Sequence, residues 1–255
     1  MKSTLSTLGG YVSLTLRAIS RSLQVDPRHL WLQVEELGVD AWLIVMVTAF
    51  FTGSVLALQT SIAFIDFGMG GATVFIPKIV TKSMVLELGP VFSALIVAGR
   101  SGAGIGAQVA SMNVSEQINA LRALAVDPIT YLVTPRVLAM AFVMPLLTIL
   151  ADFAGMFGGL VYSFTKLDMQ AMDYLSRALE SVLLKDVLTS SLKAAAWGVL
   201  IAVIGCYQGL TAKQGVVGVG QATRRTVVIC TISILVSDFF LTRIFRLVLS
   251  AVPIF

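Results

Sequence analysis

The sequence predicts an all-α integral membrane protein of about five transmembrane helices, with an N-terminal interfacial amphipathic helix and a short capped helix between two of the spans. Three observations carry this. Of 255 residues, 57% are hydrophobic and only 13% charged, at a mean hydropathy of +0.91, which leaves too little polar surface to cover a soluble globule of this size. Five segments reach the roughly 20 apolar residues needed to cross the hydrocarbon at 1.5 Å per residue. Ionisable residues recur singly inside those segments, where they are costly and therefore read as functional.

The elements follow in chain order. Val12, Leu16, Ile19 and Leu23 fall on one helical stripe while Arg17, Ser20, Arg21 and Gln24 take the other side, as in a helix lying in the membrane interface. Asp26 and Pro27 restart the chain as N-cap and first helical residue. Leu30, Val34, Leu37 and Ala41 form a second stripe, so residues 11–38 read as one or two interfacial helices. Arginines interrupt the apolar pattern near the N-terminus, so no cleaved signal peptide is expected. The spans are Trp42 to Phe64, Met84 to Val109, Val137 to Phe164, Thr189 to Leu210 and Thr226 to Leu249. Pro135 and Pro145 mark the start and a kink of the third, and Gly155, Gly158 and Gly159 give it a small surface for close packing. "DFGMGGATVFIPKIVTK" reads as a Gly-rich turn with a short apolar patch, and "TAKQGVVGVGQATRR" as a polar, Gly-rich loop. Between them, Met172, Leu175, Leu179 and Val182 recur at helical spacing and predict an amphipathic helix outside the membrane. No domain linker is visible, and residues 1–255 read as one domain.

Charge and composition exclude several classes. The formal net charge is +4, but no Lys/Arg run with interleaved aromatics occurs, so nucleic acid is not expected and anionic lipid is the simpler counterpart. Placing the N-terminus and the loops around Arg122 and Arg224 in the cytoplasm gives a modest positive-inside bias. Cys206 and Cys230 sit in apolar segments and read as inert thiols.

The stretch "VAGRSGAGIGAQ", residues 97–108, invites three chemical readings. Gly102, Gly104 and Ala107 fit G-x-G-x-x-A, with Asp127 at the distance of a ribose-binding acid, but the fingerprint needs a preceding strand and none is predicted. A phosphate-binding Walker loop is excluded because no G-K-[ST] occurs, so any ATP is hydrolysed by another subunit. Gly99-Arg100-Ser101-Gly102 spells the G-x-S-G of rhomboid proteases, yet the one histidine, His29, precedes every span and no base is available to the serine. The chain by itself is not expected to be an enzyme. The glycines are better read as a smooth helix face.

Glu87 and Arg100 fall in the second span, Asp152 in the third, Lys193 in the fourth and Asp238 in the fifth. For any one of them a buried pair that fixes helix register is as good a reading as a substrate contact. Asp186 and Lys193, two turns apart on one face, either hold a polar headgroup or only cap and snorkel. In "SMNVSEQINALRALAVDPITYL", Asn113 is an N-cap and Glu116 closes a capping box. Ile118, Leu121 and Leu124 make a short stripe and Asp127-Pro128 stops the helix. Such a helix, residues 113–125, docks into a cytosolic partner or is an ordinary interfacial loop helix; pattern alone does not separate these.

The stretch "LELGPVFSALIVAGRSGAGIGAQVASMNVSEQINALRALAVDPITYLVTPRVLA", Leu86 to Ala139, resembles the MlaE/YrbE family of ABC-transporter permeases. That family shows an L-E-x-G-P start, an A-G-R followed by small residues, E-Q-[IL]-x-A-[LM] and V-D-P; "GVGQATRRTVVICTISILVSDFFLT" is similar to its G-x-x-x-A-T-x-x-V-V…D segment. The resemblance implies a homodimeric permease in the bacterial inner membrane that moves phospholipids between membranes and maintains outer-membrane lipid asymmetry. It further implies a cytosolic ABC ATPase that binds ATP and Mg, an MCE-domain substrate-binding protein, and in some systems a STAS-domain subunit; no cofactor is implied for this chain. Carried onto this sequence, Glu116, Gln117, Leu121 and Asp127 belong to a coupling helix seated on the ATPase. Glu87, Arg100, Asp186, Lys193 and Asp238 match polar positions of the family's core and lipid pathway. The family often has an acid where Gln108 stands, which puts any role for a charge there in doubt. Two other classes are distinguishable: a proton-coupled carrier using Glu87, Asp152 or Asp238, and a non-transporting scaffold for the MCE protein.

Overall fold

A computed structural model describes residues 2–22, 25–39 and 41–251. Every regular element among them is helical. Eleven α-helices run in the order α1 Lys2–Ser20, α2 Pro27–Val34, α3 Trp42–Asp66, α4 Ile76–Ser83, α5 Gly89–Val97, α6 Ala103–Val114, α7 Gln117–Ala123, α8 Thr134–Lys166, α9 Ala171–Ser181, α10 Leu184–Leu210 and α11 Val216–Ala251. Short π-helical segments at Glu35–Val39, Met84–Leu88, Ala98–Gly102 and Ile129–Val133 join several of them, and a 3₁₀ turn at Gly70–Phe75 leads into α4. Five stretches are long and apolar enough to cross a membrane: Pro27–Asp66, Gly70–Val114, Ile129–Lys166, Leu184–Leu210 and Val216–Phe245.

The second, fourth and fifth spans differ from their expected bounds for local reasons. The second begins before Met84, because "GGATVFIPKIVTK" is helical rather than a turn with a patch: Pro77 stands in the first turn of α4, where its missing N–H costs nothing. The third runs through Pro145 as one 33-residue helix. The fourth begins at Leu184 because the Asp186 carboxylate accepts a hydrogen bond from the backbone N–H of Leu183 at 3.2 Å, which caps the helix one turn before the apolar run. The fifth absorbs most of the expected loop. Gly215, at φ +88°, makes the turn, and Gly218 passes so close to Lys213 that a Cβ there would overlap its carbonyl. Glycine in a helix interior costs up to about 1 kcal/mol relative to alanine, and close packing of this kind is what offsets it.

The interfacial segment forms as α1, α2 and the π segment Glu35–Val39, with Asp26 accepting from the Arg28 N–H at 3.0 Å as the predicted N-cap. The stripe on α1 points the other way from a core-facing one. Leu14 and Ala18 are buried, while Val12, Leu16 and Ile19 are exposed, the apolar face that an interfacial helix offers to lipid; Leu23 and Gln24 lie outside the described residues. On α9 the same inversion occurs. Tyr174 and Ala178 are buried on the helix that packs against α4, whereas the expected stripe of Met172, Leu175 and Leu179 is exposed.

Contacts divide the chain into two compact units. One comprises residues 1–41, 95–144 and 195–237; the other comprises 42–94, 145–194 and 238–255. In the first, Gly102 and Gly106 lie against Thr226, Gly102 also meets Ile201, and Gly198 abuts the Met140 backbone. The smooth face predicted for residues 97–108 is therefore Gly102 and Gly106; Gly99 and Gly104 have nothing within 4 Å of an added Cβ. In the second unit, α3 buries every fourth residue, Val45, Ala49, Gly53, Ala57 and Ser61. Gly53 rests on the Gly155 carbonyl, Gly158 on that of Phe50, and Gly155 also meets the Met84 side chain. Small residues let backbones approach where apolar lipid supplies no hydrophobic drive.

Candidate functional site

The second unit holds a buried ion network. Its centre is Lys193, in the third turn of α10 and 1% exposed. An ammonium costs several kcal/mol to bury unless it is paired and hydrogen-bonded, and four acceptors surround this one. Lys193 Nζ lies 2.9 Å from Glu87 Oε2, 2.8 Å from Asp238 Oδ1, 2.8 Å from Thr242 Oγ1 and 3.3 Å from the Leu86 carbonyl.

The chain builds each partner locally. Glu87 stands in the π segment Met84–Leu88, followed by Gly89 and Pro90. Proline has no N–H, so the Leu86 carbonyl cannot receive the usual bond from four residues on, and Lys193 takes it. Asp238 and Thr242 lie one turn apart on α11 and face the same neighbour. The Thr242 hydroxyl is 3.1 Å from Glu87 Oε1 and 3.5 Å from Asp238 Oδ1. Three sequence-predicted residues, Glu87, Lys193 and Asp238, are thus brought together from three spans, and Thr242 joins them. Sequence reasoning missed Thr242; its spacing of four from Asp238 was the available signal.

Asp186 is not a member. It caps the start of α10 while Lys193 turns inward, so the shared face imagined for the two is not used. Asp152 is buried with Oδ1 unpartnered and packs on Gly89; only glycine leaves room for the carboxyl there. Arg100 belongs to the first unit, exposed, in the π segment Ala98–Gly102.

The first unit contains the segment expected to meet a partner. The capping box is not formed. Asn113 is still inside α6, its amide donating to the Ala212 carbonyl at 3.3 Å. Glu116, at φ 60° in the left-handed region, is the N-cap residue of α7 without a side-chain cap bond, and its carboxylate takes the Asn119 amide. The helix is accordingly Gln117–Ala123 rather than 113–125, because α6 runs two residues beyond Met112 and displaces the turn. Ile118 is buried, Leu121 half-buried, and Glu116 and Gln117 exposed. Asp127 pairs with Arg21 of the interfacial segment and accepts from the Thr130 N–H at 3.1 Å and hydroxyl at 2.7 Å.

A second buried cation, Arg136, is not singled out by the sequence reading above. It is 4% exposed, donates to the Leu132 carbonyl at 2.7 Å and to Gln108 Oε1 at 2.8 Å. Gln108 in turn donates to Glu36 Oε1 at 2.8 Å. The neutral amide at 108 therefore relays an arginine to a carboxylate on the interfacial segment, which is why no acid is needed at that position.

Five stretches long and apolar enough to cross a membrane, carrying single ionisable residues, define the class: a multi-pass membrane protein. The comparisons with known proteins sharpen this. The family model for Permease MlaE matches residues 30–244. The chain is 39% identical over 242 residues to a probable ABC transporter permease protein of Rickettsia prowazekii, covering 94% of this chain and 92% of that one. It is 38% identical over 219 residues to a probable ABC transporter permease protein of Synechocystis, covering 86% and 82%. To the intermembrane phospholipid transport system permease protein MlaE of Haemophilus influenzae it is 35% identical over 218 residues, covering 83% and 80%. The chain belongs to the MlaE family of permeases and is a membrane permease subunit of the ABC-transporter type.

Proposed function

We propose that this permease moves phospholipids between the inner and outer membranes of a bacterium and so maintains outer-membrane lipid asymmetry. It sits in the inner membrane as a homodimer, with a separate cytosolic ABC ATPase that binds ATP and Mg, an MCE-domain protein that receives or delivers the lipid, and in some assemblies a STAS-domain subunit. The observation that carries the reading is the Lys193–Glu87–Asp238 network: polar, partly open, and set among apolar spans, as a two-tailed lipid with a charged headgroup requires. The Haemophilus influenzae relative is an intermembrane phospholipid transport system permease protein by name, which supports the substrate class.

Two further features support the assembly. The fifth span is largely open in the single chain, and Val228, Ile232, Leu235, Val236 and Phe239 stand exposed on α11, a surface suited to a second copy and to acyl chains. The exposed Glu116 and Gln117 at the head of α7 suit contact with a partner, and the buried Ile118 ties that helix to its own unit. ATP binding then shifts the population of two arrangements of the spans, the energy entering through α7. Glu116→Lys is expected to abolish co-purification of the ATPase and lipid transfer. Full transport by this variant would sink the coupling role.

A further inference from the structure

The geometry points to a headgroup preference: the Glu87–Lys193–Asp238–Thr242 network selects lipids whose headgroup carries a primary ammonium, as in phosphatidylethanolamine, over purely anionic ones. The inference rests on the lipid-transport reading above and names the chemistry of the ligand at that same site.

The donor and acceptor inventory decides it. A lysine ammonium has three hydrogens and no acceptor, and Lys193 already faces four acceptors at 2.8–3.3 Å. It is 1% exposed and has no hydrogen left for a phosphate. The single hydroxyl hydrogen of Thr242 has two carboxylate oxygens in reach. The network therefore presents no spare donor to an incoming headgroup.

Its spare capacity is all acceptor. The Glu87 side chain is 40% exposed and that of Asp238 25%, and an ionised carboxylate offers about four lone-pair sites. The four residues also sum to one excess negative charge when both carboxylates are ionised. An uncompensated charge among apolar spans is costly, and a phosphate oxygen would add a second one. An ammonium group restores neutrality and supplies the donors that the open carboxylate oxygens lack. The buried Lys193 thus acts as a positioning residue: it holds the two carboxylates apart and open, while Glu87 and Asp238 would touch the ligand.

The test is competition for the full-length protein. It is extracted in detergent, exchanged into an equimolar mixture of dioleoyl phosphatidylethanolamine, phosphatidylcholine, phosphatidylglycerol and phosphatidic acid, and its bound lipid is counted by native mass spectrometry. Phosphatidylethanolamine, whose primary ammonium carries N–H donors, is expected to exceed each anionic lipid about tenfold, the size of one charge-assisted hydrogen bond, and to exceed phosphatidylcholine, whose quaternary nitrogen has no N–H. Asp238→Asn keeps an acceptor for Lys193 and should reduce the ratio; Glu87→Gln with Asp238→Asn should bring it to about one while lipid is still retained. Equal or greater retention of the anionic lipids by the unaltered protein overturns the preference, as does a ratio unchanged in both variants. Lipid bound without discrimination removes this inference alone, whereas no bound lipid of any kind removes the lipid-site reading with it.

Discussion

Replacing Lys193 with methionine isolates what the buried ammonium does. The side chain is nearly isosteric, so packing around α10 is kept while the charge and the hydrogen bonds of the ammonium are lost. Glu87 Oε2 and Asp238 Oδ1 each lie within 2.9 Å of the same nitrogen, so without it two carboxylates face one another across at most about 6 Å. At an effective dielectric of about 20, their repulsion is roughly 3 kcal/mol. Water reaching the exposed parts of Glu87 and Asp238 screens some of this, and about 2 kcal/mol of destabilisation is expected. At about 2–4 °C per kcal/mol for a chain of this size, thermal unfolding in detergent should shift down by about 4–8 °C. Adding Glu87→Gln and Asp238→Asn to Lys193→Met removes the repulsion and should restore most of that shift without restoring lipid transfer. A Lys193→Met protein that melts within about 1 °C of the original, or a triple variant that melts no higher than the single one, refutes the electrostatic account.

Other perturbations test other parts of the structure. Gln108→Ala takes from the buried Arg136 its bond to the relay with Glu36; a loss of about 1–3 kcal/mol is expected, read as a lower denaturant midpoint. Gly155→Val drives a side chain into the Met84 contact beside the Gly53 backbone, so a cost of about 3 kcal/mol or more should appear as poor yield of folded protein, with Gly104→Ala, which meets nothing, as the tolerated control. Arg100→Ala should reduce lipid transfer in reconstituted vesicles; unaltered transfer would remove Arg100 from the pathway.

Much of this protein was legible before any coordinates. Hydropathy alone located five spans, because 20 apolar residues have no other place to go in a chain with so little charge. The Asp26-Pro27 cap was legible because it is a local hydrogen bond between near neighbours. Glu87, Lys193 and Asp238 stood out singly, since a charge in an apolar run is conspicuous whatever it touches.

Tertiary structure decided what locality cannot. Pattern could not say that Lys193 meets Glu87 and Asp238 rather than Asp186, because partners 106 and 45 positions away are chosen by how spans pack. Nor could it place Arg136 beside Gln108, or show that α9 buries Tyr174 and Ala178 and leaves Met172, Leu175 and Leu179 open: periodicity defines an apolar face but not whether protein or lipid covers it, and in a membrane both are apolar. The capping box at Asn113 failed for the same reason, since α6 continues where its packing and the Asn113 bond to Ala212 hold it, and the turn moved to Glu116. Composition and spacing determined the membrane fold and its unusual charges; only the packing of the spans against one another decided which of those charges would meet.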